Sequence, residues 1–512
     1  PPPPPPPQGR CGGRPAARID CTIAAQPPAS IPPRPAAGAR PLEAEPGRWR
    51  HHTHPLTGRQ TRVLLALILA VALLLRVHDY TAAPRPNENV DELAWAWAGL
   101  TLLEDHSPTS WSYLPAYSQT FPLREPDNGR ILPGVHHWLD HPPAFALLIG
   151  GFAWLAGERQ LGQVTDAAIR LPVIALSLLT LLLAYLLGRR LLGTLPALLG
   201  AALFAVAPGA VLGSREVESE ALLAPMLLLA LLLAHRALHD EATRFEPVLL
   251  LAVCWLGPLV KVPGAALGVI VAVIFASRGY WARASMAVLA AWLGLVTYAL
   301  YGLAVDWQQF LAVIQAQSSR HSGLLSGFEF IVSPAGFSDS VQLHDGWWLV
   351  GWLGLALLAV LRRPRGGDLL LAWPIAAFAV TIMLVADVGA AFRYGWYRFA
   401  IYPLVYLVAA DFVVGTVLRP TVVRLAILLV LPAAAATLAT NPAGRALNPP
   451  FVVEVAALTV LFAACLMARR AAAAGKGWQR RWPQLAAAGL VALILALNLV
   501  QSIRLAEIYT SL

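Results

Sequence analysis

The chain has 512 residues, of which 57% are hydrophobic and only 13% charged, with 38 Lys and Arg against 29 Asp and Glu. Soluble domains carry roughly 25% charged residues, so an ordinary soluble enzyme is excluded, and so is a chain disordered throughout. The basic excess does not signal nucleic acid. The arginines are scattered between apolar blocks about 20 residues long, the pattern of an all-α integral membrane protein.

Residues 1–60 are a different material. They open with seven prolines and hold 16 in all, with no apolar run to bury. A disordered tail of polyproline character is expected, without the charged start and apolar core of a cleavable signal peptide. Cys11, Cys21, Cys254 and Cys465 are too dispersed for a disulfide framework or a metal cluster.

Thirteen apolar blocks follow, at 62–79, 171–188, 192–212, 219–235, 246–260, 263–277, 284–303, 346–361, 369–387, 400–417, 422–438, 451–468 and 483–501. A further block, 143–156, would reach only about 21 Å as a helix, short of a ~30 Å hydrocarbon core. If it lies at the outer surface and the N-terminus is inside, the short inner loops hold 16 basic residues and the outer loops after residue 200 hold six. That is the bias the positive-inside rule requires. About 13 spans are therefore expected, with the N-terminus cytoplasmic and the C-terminus outside. Residues 61–303 form one module, including an outer loop at 80–170. A second outer loop occupies 304–345, and 346–512 supplies further spans, those from 422 onward reading as apolar filler.

This arrangement gathers the unusual residues on the outer face. Asp91 and Glu92 follow the first span and open a helix at Leu93–Ala98. They read either as a cap with a favourable first turn or as a general base at the membrane surface. Asp140-His141-Pro142-Pro143 opens the short block, Asp140 as a cap and Pro at a cheap position. Ser214-Arg215-Glu216-Val217-Glu218-Ser219-Glu220 places three acids and an arginine between apolar runs. That is costly unless they face water, a pocket or one another. Lys261 stands alone in Gly257–Gly264 and suits either snorkelling or a phosphate. Arg393 and Arg398 flank Tyr394-Gly395-Trp396-Tyr397, a set that serves interfacial anchoring or a phosphate-and-sugar pocket. Arg170 stands at the outer end of the second span.

These residues, in this order, resemble the GT-C fold glycosyltransferases that take a sugar from a polyprenyl-phosphate carrier, especially the protein O-mannosyltransferases and the lipid A aminoarabinose transferases. The likeness runs from about residue 62 to 410. It is carried by Asp91-Glu92, Asp140-His141-Pro142-Pro143, Arg170-Leu171-Pro172 and Gly188-Arg189-Arg190. Arg215 with Glu220, Gly257 to Gly264 around Lys261, and Tyr397-Arg398 with Pro403 complete it. His141 is closer to the mannosyltransferase form, whereas loop 304–345 is too short for that family's soluble domain. Lipid, glycan and protein acceptors all stay open.

The resemblance implies transfer at the outer face of the plasma membrane with inversion. Asp91 is the expected base, and Glu92 and Glu220 complete the catalytic acids. Arg170, Lys261, Arg398 and Arg393 are expected at the donor phosphate, and His141, Asp140, Arg215 and Tyr397 around acceptor or sugar. One base and positive charge on the leaving phosphate suffice chemically. No cofactor is required, and a divalent ion bridging Asp91 and Glu220 is the one addition the chemistry leaves open. The rivals are a transporter or flippase, for which the charges sit at the wrong depth, and a non-catalytic envelope assembly protein.

Overall fold

The computed structural model describes residues 56–319 apart from 87, 90, 127 and 128. Beyond these it describes 330–331, 335–336, 341–343, 345–361, 366–385, 395–437, 439–440, 463, 466–467, 470 and 481–510. Of the tail expected at 1–60, residues 1–55 lie outside the described residues, as do Arg393 and most of the span expected at 451–468, whereas 58–60 are already helical.

The first helix, α1 (Gly58–Val77), begins in a capping box: Gln60 N–H donates to the Thr57 hydroxyl and Thr57 N–H to the Gln60 side chain. The loop beyond it is no simple connection. It builds α2 (Asp91–Glu104), an antiparallel sheet of β1 (Thr109–Trp111), β2 (Phe121–Arg124) and β3 (Ile131–His136) in the order β1-β3-β2, and α3 (Pro143–Leu155). The strands are a feature that apolar periodicity did not reveal. The expected helix after Asp91 is α2. Helices α2 and α3 meet through glycines, since a Cβ on Gly99 would lie 1.8 Å from the Ala146 carbonyl oxygen. The short apolar block thus packs its length against α2.

The following helices are α4 (Asp166–Leu191), α5 (Thr194–Val206), α6 (Pro208–Gly213), α7 (Glu220–Leu238), α8 (Glu246–Val260), α9 (Ala266–Ala276) and α10 (Trp281–Ser318). Farther on come α11 (Gly346–Leu361), α12 (Gly366–Val385), the single turn α13 (Trp396–Phe399), α14 (Tyr402–Leu418), α15 (Val422–Thr437), α16 (Trp482–Ile503) and α17 (Leu505–Thr510). A small sheet pairs β4 (Ala335–Gly336), β5 (Gln342–Leu343) and β6 (Ala439–Thr440).

Five described helices, α1, α4, α7, α10 and α16, are long and apolar enough to cross a membrane, and eight shorter apolar segments accompany them. Two apolar blocks depart from the expected outline. Block 192–212 breaks at Ala207, held extended at φ −67°, ψ 127°, because the following Pro208 disfavours helix there. Helix α10 runs through the expected loop start at 304. Asp306 kinks it at φ −164°, ψ 104°, and the Asp306 carboxylate accepts from Gln309 N–H at 3.0 Å, restarting the helix as a cap would.

The last span is more than filler. In α16, Asn498 accepts from the Trp347 indole at 2.7 Å and Ser502 donates to the Val206 carbonyl at 2.8 Å, so it seals the break between α5 and α6. Arg76, on α1, supports the same break. It donates to Ser177 and to the Phe204 and Ala205 carbonyls from a fully buried position.

Candidate active site

Lys261 is the natural starting point. Helix α8 ends at Val260, Lys261 is extended, and the chain turns at once into a 3-10 turn at Val262–Ala265. Two glycines permit this. A Cβ on Gly264 would lie 2.1 Å from the Gly257 carbonyl oxygen, and one on Gly257 would lie 2.6 Å from that of Gly264. The reversal carries the Lys261 ammonium inward to Glu220, the first residue of α7, at 2.7 Å, and over the Tyr397 ring at 4.5 Å. Both ionic groups are buried. Burial works against the lysine charge, but Glu220, Tyr397 and Glu218 outweigh it and hold the ammonium above its ordinary value.

Asp91 joins this cluster through α2. Its backbone N–H is capped by the Asn89 side chain at 3.1 Å, and the Asn89 amide donates to Glu218 at 3.0 Å. The Asp91 charge bears on both Glu218 and Tyr397. Glu218 is held well above the carboxylate range, first by burial and next by Asp91, with Lys261 opposing. Asp91 itself is only half-buried. One half-buried acid and one buried cation on a tyrosine ring therefore share a site built from α2, α7, the α8 end and α13.

Several other candidates lie elsewhere. Arg170, expected at the donor phosphate, is fully buried with its donors already taken. It grips Glu92 with two N–H groups at 2.5 and 3.2 Å, reaches the Tyr80 and Pro84 carbonyls at 2.8 and 3.0 Å, and lies 3.2 Å from Asp166. Glu92, expected among the catalytic acids, spends both oxygens on Arg170 and also accepts from Val217 N–H at 2.9 Å. The pair is a latch that fixes α2 to α4 and to the 214–219 segment. Arg215, expected near sugar, caps α1 instead. It donates to the Leu75, His78 and Ala83 carbonyls and is not paired with Glu220. The spacing of five suggested a pair, but the carbonyls left open at a helix end were the stronger claim on a buried guanidinium.

Asp140 ties the outer layer together, accepting from Ser112 at 2.6 Å and Tyr117 at 2.7 Å. His141 stacks on Trp95 with ring centres 4.6 Å apart. Trp95 is one helical turn beyond Asp91 on α2, so His141 lies along the same face. Arg398 sits apart from Lys261's ring partner, over the Phe330 and Trp348 rings at 5.3 and 5.5 Å and within reach of the Asp345 charge. Asp345 in turn caps α11, accepting from Trp347 and Trp348 N–H, and binds the Tyr406 hydroxyl.

Glu218, Asn89 and Asp345 were not singled out as site residues. The alternation of Glu216, Glu218 and Glu220 was the signal for the first; nothing local marks Asp345. Glu216 is buried completely, and neither of its oxygens has a hydrogen-bond donor among the described residues. Burial first, then Glu92 and Glu218, push its carboxyl well above the usual range.

Residues 140–301 match the family model for dolichyl-phosphate-mannose-protein mannosyltransferase. Among solved structures, the apo state of ArnT from Cupriavidus metallidurans is similar at 14% identity, covering 87% of this chain and 76% of that one with a TM-score of 0.52. The chain has the fold of the GT-C glycosyltransferases. Two further structures are similar at lower scores. ArnT bound to undecaprenyl phosphate covers 88% of this chain and 78% of that one at 14% identity and a TM-score of 0.49. The oligosaccharyltransferase AglB from Archaeoglobus fulgidus, in complex with an inhibitory peptide and a dolichol-phosphate, covers 86% and 56% at 13% identity and 0.47. No curated protein matches the chain. The matched family, over 162 of the 512 residues, is one of membrane glycosyltransferases, and the chain shares their fold and their run of long apolar helices.

Proposed function

We propose that the protein transfers a sugar from a polyprenyl-phosphate donor to an acceptor hydroxyl at the outer face of the plasma membrane, with inversion and with Asp91 as the base. The observation that carries this reading is the Lys261 ammonium fixed by Glu220 at 2.7 Å on the Tyr397 ring, in a cluster that also feels the Asp91 charge. Asp91 takes the proton of the acceptor hydroxyl as its oxygen attacks C1 of the sugar. The C1–O bond to phosphate breaks, and its electron pair leaves on the phosphate, where Lys261 offsets the charge. A phosphate leaves without protonation, so no general acid is needed. Glu220 and Glu218 orient Lys261; Tyr397 and His141 offer ring faces for a sugar or an acceptor. The donor class rests on the family model, whose description names a dolichyl-phosphate sugar, and the outer-face placement rests on the excess of basic residues in the inner loops.

Lys261 supplies the positive charge that a divalent ion would otherwise bring, so chelation is expected to leave transfer unchanged. The test is transfer in proteoliposomes from a panel of labelled polyprenyl-phosphate sugars to a membrane extract, wild type against Asp91→Asn. Transfer by wild type that is lost in the variant supports the reading. Transfer that survives removes Asp91 from its role, and movement of labelled lipid without donor consumption replaces the transferase with a transporter.

A further inference from the structure

A second polar site lies at the far ends of the helices that build the first. Helix α7, 19 residues long, begins at Glu220 in the candidate active site and ends at Leu238, about 27 Å away at 1.5 Å per residue. That is close to the ~30 Å of a hydrocarbon core. Helix α8 runs back from Glu246 to Val260. Between its start, the end of α7 and the start of α10 is a cavity of about 300 Å³. Thr243, Arg244, Arg283 and Asp240 line its polar part, and Leu250 and Phe275 are among its apolar residues.

The charges around it are unevenly paired. Arg236 is held by Glu246 at 2.8 Å and Arg190 by Glu241 at 2.5 Å. Arg244 and Arg283 make no ion pair among the described residues; each lies instead against a ring, Phe245 at 4.9 Å and Tyr280 at 4.9 Å. Arg283 also donates to the Ala237 carbonyl at 3.1 Å, and both residues line the cavity. Against these two cations the lining has one carboxylate, Asp240, so the rim keeps a positive charge. Met286, also in the lining, is 51% exposed, and beside the cavity Phe245, Val248 and Trp281 are 68, 66 and 69% exposed. In a membrane protein such a surface faces acyl chains, with Trp and Tyr at headgroup depth.

An anionic headgroup that enters between two unpaired guanidiniums, with tails lying on an apolar wall beside it, describes one chemical class. We propose that this cavity binds the headgroup of an anionic glycerophospholipid, of which phosphatidylglycerol is the probe, in the leaflet opposite the candidate active site. Arginine gives phosphate a bidentate partner, and basic pockets between spans are where such headgroups bind. One active-site phosphate cannot serve both places, given the length of α7.

The experiment is native mass spectrometry of the full chain in a mild neutral detergent, titrated with phosphatidylglycerol or phosphatidylcholine. Wild type is expected to bind phosphatidylglycerol at least tenfold more tightly. Arg244→Gln with Arg283→Gln should erase that preference, and so should Met286→Trp, which fills the cavity and leaves its charge. Arg189→Gln, at the same boundary but outside the lining, should keep it. Thermal unfolding in phosphatidylcholine checks that every variant is folded. Equal binding of the two lipids by wild type overturns the proposal. So does loss of the preference in Arg189→Gln, which would mean a diffuse basic surface. Displacement of the lipid by equimolar glycerol 1-phosphate also overturns it, because a soluble phosphate would then be the ligand. Undecaprenyl phosphate binding tenfold more tightly than phosphatidylglycerol, and losing that margin in the Arg244→Gln, Arg283→Gln variant, would do the same in favour of the carrier lipid at this cavity.

Discussion

Replacing Glu92 by Gln, Arg170 by Gln, and both together separates a latch from a catalytic pair. The two side chains are 2% and 0% exposed and share two short contacts, with Val217 N–H as a third tie on the carboxylate. Removing one partner strands the other charge. In Glu92→Gln, Arg170 keeps Asp166 at 3.2 Å as its remaining ion-pair partner among the described residues. In Arg170→Gln, Glu92 keeps one backbone donor. Breaking a buried pair from one side costs about 3–5 kcal/mol, so each single variant should lose about that much. Residues in one network couple by about 0.5–3 kcal/mol. Removing both charges at once should therefore cost less than the sum of the singles by about 2 kcal/mol. The assay is reversible unfolding of the purified protein in mixed micelles, with transfer measured per folded molecule. Additive losses refute the latch. So does an Arg170→Gln variant of unchanged stability whose donor KM rises, because that result returns Arg170 to the phosphate.

Asp91→Asn keeps the shape of the side chain and removes a charge that opposes ionisation of Glu218 and Tyr397, so it should change stability by no more than about 1 kcal/mol. Turnover should fall on the order of 100-fold or more, as for loss of a general base; unchanged turnover assigns the base elsewhere. Lys261→Gln should raise donor KM and lower kcat at unchanged acceptor KM, read by steady-state kinetics at saturating acceptor. An effect confined to acceptor KM would count against phosphate binding. Gly264→Ala should cost about 1–3 kcal/mol as an overpacking change and lower activity in step with Lys261→Gln, because its methyl would meet the Gly257 carbonyl at 2.1 Å; a fully active, stable variant would show that the reversal tolerates a Cβ. Glu216→Gln tests the buried acid. Its carboxyl titrates higher folded than unfolded, so wild type holds the extra proton and loses stability as pH rises from the ordinary carboxylate range through the raised value. The variant lacks that loss, so its stability relative to wild type should rise across the same interval, measured by unfolding as a function of pH. A difference that does not vary with pH rules out a protonated Glu216.

The sequence alone pointed to a membrane protein, because apolar side chains in repeated blocks of that length match a hydrocarbon core. It also marked candidate site residues where apolar runs end, because charges cluster there. Asp91, Glu220, Lys261 and Tyr397 were legible for that reason, and the glycines around Lys261 were visible though their purpose was not. The sequence could not say which acid meets which base. Arg170, Arg215 and Lys261 look alike as basic residues beside apolar runs. Burial at 0, 1 and 6% exposure obliges each to find acceptors, and the acceptors come from distant parts of the chain. Arg170 meets Glu92 across 78 residues, Arg215 meets carbonyls of α1 across about 140, and Lys261 meets Glu220 across 41. Only the tertiary structure decides those partners, because a buried charge answers to what packing brings within three ångströms and not to its neighbours in sequence.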